Sequence, residues 1–154
     1  MNAVDAWMTV LLSAAPISEL RGAIPLAVAR GAAPVAAFFL ALAGNLLVIP
    51  LILYGLRFGE RWIRRWPIGA RLLDWLFGRV RRREHLIRRY GPFGLILLVA
   101  IPLPGTGAWT GAIAAHVLAI PPRRSVLPIA MGVVIAGVLV LLATLGAFHL
   151  VGVG

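Results

Sequence analysis

Residues 90–122 read YGPFGLILLVAIPLPGTGAWTGAIAAHVLAIPP, a run without Asp, Glu or Arg that is too long for a single membrane crossing. It is broken by Pro102-Leu-Pro-Gly-Thr-Gly107, and two prolines and two glycines in six residues end a helix. The flanking pieces, 90–101 and 106–120, reach only about 18 and 22 Å as helices, against a hydrocarbon core of roughly 30 Å. This predicts a re-entrant hairpin over 90–122: a half-helix descends to mid-membrane, turns and returns to its own side. The N-terminal stretch repeats the logic. Residues 6–15 make about 15 Å of helix before Pro16, and a second short apolar helix follows to Arg30, so 5–30 is a second predicted hairpin.

Working outward, residues 31–56 and 125–150 are uncharged and long enough to cross. Irregular backbone at membrane depth is tolerated only where protein or a water-filled cavity satisfies its polar groups. The cheapest partner for each break is therefore the other. An internal repeat agrees: Pro16-Ile-Ser18 matches Pro104-Gly-Thr106 and Gly44 matches Gly132 at an offset of 88, while Gly22-Ala-Ile24 matches Gly111-Ala-Ile113 at 89. The fold expected is an all-α integral membrane protein of two inverted repeats, 1–56 and 90–154. Each repeat is a re-entrant hairpin plus one transmembrane helix, and a basic amphipathic cytoplasmic segment, 57–89, joins them.

Composition excludes the ordinary soluble domain. Of 154 residues, 61% are apolar and 13% charged, where a soluble chain runs nearer ~45–50% and ~25%. Zero Cys removes disulfides, a thiolate nucleophile and Cys-based metal sites. All fifteen basic residues are Arg, and eleven of them lie in 57–89 with Glu60, Asp74 and Glu84. These arginines flank long apolar runs rather than forming a groove-reading face, which fits the positive-inside rule and not nucleic acid. Orientation follows: 57–89 and the Arg123-Arg124 pair in the cytoplasm, both termini outside, and Arg30 the lone exception. Residues 1–5 carry no basic residue and no small-residue cleavage site follows, so the N-terminal run is expected to stay as structure. After a break at 67–69, Leu72, Leu73, Leu76, Phe77 and Val80 recur at helical spacing, which reads as an interfacial helix serving as an orientation signal, an anionic-lipid contact or a partner-docking site.

Glu19 and Arg21 are the ionisable residues at a predicted mid-membrane break, where a charge costs several kcal/mol unless paired or wet. Ser18 and Thr106 follow their prolines as N-caps for the second half-helices, which aims two helix N-termini at one region. With Arg21, those ends attract an anion. The backbone of Gly105 and Gly107, the Thr106 hydroxyl and the guanidinium suit a carboxylate or phosphate. Glu19 is the candidate proton carrier. The competing reading has Glu19 and Arg21 merely fastening the hairpin tip. Trp109 either lines the pocket or packs at the tip, Gly107-Ala-Trp-Thr-Gly111 is a close-packing pattern, and Asn45 reads best as an interhelical hydrogen bond. His85, His116 and His149 are scattered, none near a carboxylate in sequence. No nucleophile–base pattern, catalytic residue, metal site or cofactor is expected.

Pro16-Ile-Ser-Glu-Leu-Arg-Gly-Ala-Ile-Pro25 together with Ile101-Pro-Leu-Pro-Gly-Thr-Gly-Ala-Trp-Thr-Gly111 resembles the small multidrug export protein family of bacteria and archaea, related to the DedA and VTT superfamily. The resemblance implies an inner-membrane protein with two facing re-entrant hairpins. For the superfamily it implies transport, with lipid-carrier phosphate recycling, phospholipid scrambling and proton-dependent drug tolerance among its roles. By resemblance, Glu19 and Arg21 match the acidic and basic residues of the first hairpin. DedA proteins also carry an Arg in the second hairpin, where this chain has the uncharged Thr106, Gly107 and Trp109. The function expected is a small transporter of an anionic or amphipathic substrate, with membrane lipids around it. The alternatives are a flippase of lipid-carrier phosphate, a phospholipid scramblase, or a non-transporting scaffold that uses the basic helix. A homodimer would enlarge the small volume that one such chain encloses.

Overall fold

A computed structural model describes residues 2–82, 84–101 and 106–150, which form eight helices and, among the described residues, no strand. Four are short: α1 (Ala3–Ala14), α2 (Glu19–Ala29), α6 (Pro92–Ala100) and α7 (Ala108–Val117). Their 12, 11, 9 and 10 residues make about 18, 17, 14 and 15 Å of helix, so none crosses a bilayer alone. Two are long, apolar and able to cross: α3 (Pro34–Ile63, 30 residues) and α8 (Pro122–Leu150, 29 residues). Between the halves lie α4 (Pro67–Arg81) and α5 (Glu84–Tyr90). Pro34, Pro67 and Pro92 open their helices, where a missing N–H loses nothing and the fixed φ is already helical.

The short helices pack as two pairs, α1 on α2 and α6 on α7. Contacts of the first three helices are matched in the last three. As α1 lies on α3, α6 lies on α8; as α7 reaches α3, α2 reaches α8; and α3 meets α8 between them. Close approach at both matched crossings depends on glycine. A Cβ on Gly44 would collide with Ser13 and the Val10 carbonyl, and one on Gly132 would stand 2.6 Å from the Val99 Cβ. Inside, Ile49, Leu53, Leu95, Val99, Ile129 and Val133 are fully buried. Outside, Leu47, Leu51 and Leu142 are 60–71% exposed, an apolar exterior whose solvent is lipid.

Helix boundaries differ from the sequence reading: α3 begins at Pro34 rather than 31, and α8 at Pro122 rather than 125, taking in Arg123 and Arg124. Helix α3 does not stop at 56 but runs on through Arg57, Glu60 and Arg61, because nothing there breaks a helix before the turn at 64–66. The break expected at 67–69 is that turn, and Pro67 begins the next helix instead of interrupting one. The apolar stripe of α4 also has a different partner. Leu73, Phe77 and Val80 are buried in the main core, with α4 packed on α7, and Leu72 and Trp75 remain exposed. Much of the face expected at the bilayer interface is thus spent on protein.

Candidate functional site

The turn ends of the two helix pairs meet, and side chains from each satisfy the open helix ends of the other. The last four carbonyls of a helix have no partner within it. In α1 each of the four finds one. Leu11 O accepts from Ala15 N at 3.2 Å, and Leu12 O from the Ser18 hydroxyl. Ser13 O accepts from Asn45 Nδ2 at 2.6 Å, and Ala14 O from Trp109 Nε1 at 2.9 Å. So the end of α1 is closed by its own turn, by α3 and by α7.

The start of α7 is closed from the other direction. Glu19, 8% exposed, points its carboxylate at the first turn of α7, where Oε1 accepts from Trp109 N at 3.3 Å. A carboxylate there meets both an unpaired N–H and the positive end of the helix dipole. Gly107 precedes it with φ +151°, a backbone that L side chains rarely adopt, and a Cβ there would stand 2.5 Å from the Glu19 carboxyl carbon. Glu19 itself has φ +46°, a left-handed backbone that costs a non-glycine residue on the order of 1 kcal/mol. Strain of this kind persists where surrounding structure enforces it, and it clusters at functional sites.

Arg21 makes the second crossing. Its Nη2 donates to Thr106 Oγ1 at 2.8 Å and to Ile101 O at 3.3 Å, and the Thr106 hydroxyl donates to the same carbonyl at 2.7 Å. Ser18, Glu19, Arg21, Thr106, Gly107 and Trp109 are therefore brought to one junction. Gly105, and with it the proline turn at 102–105, lies outside the described residues. The capping expectation is corrected. Ser18 and Thr106 cap neither second helix; each hydroxyl turns back to a carbonyl near the end of the helix before it, and α7 is capped by a carboxylate from the other pair. Gly107 and Gly111 serve different neighbours, Glu19 for the first and Val99 of α6 for the second.

Trp109 earns its place through its N–H more than through its ring. Trp109→Phe keeps an aromatic ring and orphans Ala14 O, so denaturant unfolding in micelles should show a loss of about 1–3 kcal/mol. An unchanged midpoint would mean that another donor reaches that carbonyl.

A second polar chain escaped the sequence reading. His116 Nε2 on α7 lies 2.6 Å from Glu60 Oε2 on α3. Glu60 Oε1 accepts from Arg64 Nε at 2.7 Å, and Arg64 Nη1 donates to Asp74 Oδ1 on α4 at 2.9 Å. Arg64 also covers the Phe77 ring at 5.5 Å. The chain ties α4 to the start of the arginine segment and to α7. The one sequence signal was the i, i+4 order of Glu60 and Arg64. Both side chains at the His116 contact are partly exposed, so Glu60→Gln should lower stability by only about 1 kcal/mol, yet speed proteolysis at the 64–66 turn. Equal cleavage rates in both proteins would show that the chain does not hold α4.

A family model described as "Putative small multi-drug export protein" matches residues 19–139, most of the chain, from Glu19 through both helix pairs' junction into α8. Nothing matches among curated proteins or among solved structures.

Proposed function

The chain belongs to this small multidrug export family, and on that premise we propose that it is a multi-pass transporter of the cytoplasmic membrane. Its cargo is an anionic or amphipathic substrate, moved through the junction between two re-entrant hairpins, α1–α2 and α6–α7. The family description is that of an export protein, which is no enzyme class. The short helices support re-entry, since none is long enough to cross, and the matched packing of α1–α3 and α6–α8 supports two inverted repeats around a midplane site. The arginine segment faces the cytoplasm and both termini face outside, with Arg30 offset by Asp5 at 3.8 Å.

The observation that carries the reading is the Glu19 carboxylate seated on the amide end of α7, beside an Arg21 held by Thr106. An anionic substrate group competes for the same amides. When it takes them, Glu19 leaves with a proton. The site then holds either its own carboxylate or a substrate anion plus a neutral Glu19, and in both cases its charge balances Arg21. A low-dielectric midplane favours that constancy, because an uncompensated charge there is expensive.

The experiment is reconstitution in liposomes with a panel of amphipathic anions, lipid phosphates included, and an entrapped pH dye. Flux should be accompanied by proton movement in the same vesicles. Substrate flux with no proton movement would remove Glu19 from the cycle; no flux of any panel member across either pH gradient would count against transport itself.

A further inference from the structure

The two helix pairs differ at the ends away from their junction. Between α1 and α2 the gap is closed: the cavity bounded by Met8, Thr9, Ala23 and Ala27 holds about 10 Å³. Between α6 and the end of α7 the corresponding gap is an open cleft of about 760 Å³, with α5 and the start of α8 forming its other walls. That is the volume of a small-molecule site. None of the residues at the Glu19 and Arg21 junction lines it.

Its lining divides by chemistry. Arg81 of α4, Arg88 of α5 and Arg124 of α8 converge on it from three elements. Glu84 also lines it and pairs with Arg88, which leaves Arg81 and Arg124 with no acidic partner among the described residues. Deeper in, Leu95, Val117 and Ile120 make the walls apolar. The cleft opens where α6 and α8 begin, at Pro92 and Pro122, so on the membrane reading it stands at headgroup depth on the arginine-rich face.

We propose that this cleft binds an anionic phospholipid of the leaflet facing the arginine segment. Arg81, Arg88 and Arg124 hold the phosphate, and the upper acyl chain lies against Leu95, Val117 and Ile120. Guanidinium forks match phosphate oxygens bidentately, and basic pockets between membrane helices on this face take lipid headgroups. A free phosphate would use the arginines and leave the apolar walls wet. A zwitterionic lipid would cover the walls and leave two guanidinium charges uncompensated. An anionic lipid covers the walls and, with one net negative charge, compensates one of those two guanidinium charges, so it fits the cleft better than either. The bound lipid fills in the second pair the gap that protein fills in the first, and so belongs to the resting structure rather than to the transported cargo.

The test uses the full chain purified in a neutral detergent, with thermal unfolding followed during titration with phosphatidylglycerol, phosphatidylcholine or inorganic phosphate. Phosphatidylglycerol should bind at least about tenfold more tightly than phosphatidylcholine and raise the unfolding temperature, with inorganic phosphate producing no comparable shift. The R81Q/R88Q/R124Q variant should lose that preference. R61Q/R65Q/R71Q, which removes as much charge outside the cleft, should keep it. Should the triple variant not fold, R124Q alone should weaken phosphatidylglycerol binding several-fold with phosphatidylcholine binding unchanged. Equal losses in the two triple variants would overturn the site in favour of a diffuse basic surface, and an equal shift with inorganic phosphate would overturn the lipid. Neither result bears on transport, so the transport reading stands or falls separately.

Discussion

Replacing Gly107 with alanine is expected to destabilise the protein more than any other single methyl added at the junction. Two penalties coincide there. The backbone has φ +151°, a region essentially reserved for glycine, and forcing an L residue into it costs on the order of 1–3 kcal/mol. The new Cβ would also stand 2.5 Å from the Glu19 carboxyl carbon and 2.7 Å from Oε1, so the carboxylate must leave the amide end of α7. That withdraws a charged cap, worth a further ~0.5–2 kcal/mol, and leaves Trp109 N unsatisfied. The sum is on the order of 2–5 kcal/mol, read as a fall in the unfolding midpoint in micelles. A double-mutant cycle separates the parts. Glu19→Ala removes the collision but not the backbone strain, so Gly107→Ala should cost less in the Glu19→Ala background than in the native one. Strict additivity would show that the two residues are not in contact, and the junction described above would be wrong.

That junction was legible in outline from two features of the chain. Pro16 and the proline-glycine turn before Thr106 each leave buried helix ends needing partners, and the requirement that every polar backbone group be satisfied makes each break the natural partner of the other. The bonds from Arg21 to Thr106 and from Trp109 to Ala14 join the two pairs there. What sequence did not reveal was the assignment of partners. Capping by Ser or Thr is a local pattern, read over two or three residues, so Ser18 and Thr106 stood out as caps. The actual cap of α7 is Glu19, 90 residues away, and no local pattern encodes a donor and acceptor at that separation. The same limit hid His116 and Glu60, 56 positions apart. Helix α4 fails for another reason: amphipathicity identifies a face that avoids water without saying whether lipid or protein covers it. Leu73, Phe77 and Val80 turned to protein because α7 lies alongside.

The strongest functional consequence follows from Glu19. Glu19→Gln keeps the side chain's length and a carbonyl oxygen that can accept from Trp109 N, so the fold should survive; the loss of a charged cap in favour of a neutral one amounts to roughly 1 kcal/mol. What it removes is the ability to exchange carboxylate for proton. On the proposed mechanism the glutamine site is locked in its anion-bound form: the bound anion balances Arg21, no carboxylate can re-form to displace it and no proton is exchanged, so coupled flux should fall at least about a hundredfold. Arg21→Met should be as inactive for the opposite reason, because the Glu19 carboxylate then remains without its counter-charge at the junction. The comparison that decides the matter is Glu19→Asn. Asparagine tolerates a left-handed backbone far better than glutamate, so the strain at φ +46° is eased by several tenths of a kcal/mol, while the shorter side chain falls back from α7. If Glu19 only fastened the two helix pairs together, transport would track stability across Gln, Asn and the native residue. If Glu19 is the exchanging group, both variants are inactive whatever their unfolding midpoints. Native flux in folded Glu19→Gln vesicles, measured with the pH dye in place, would end the proton-exchange mechanism.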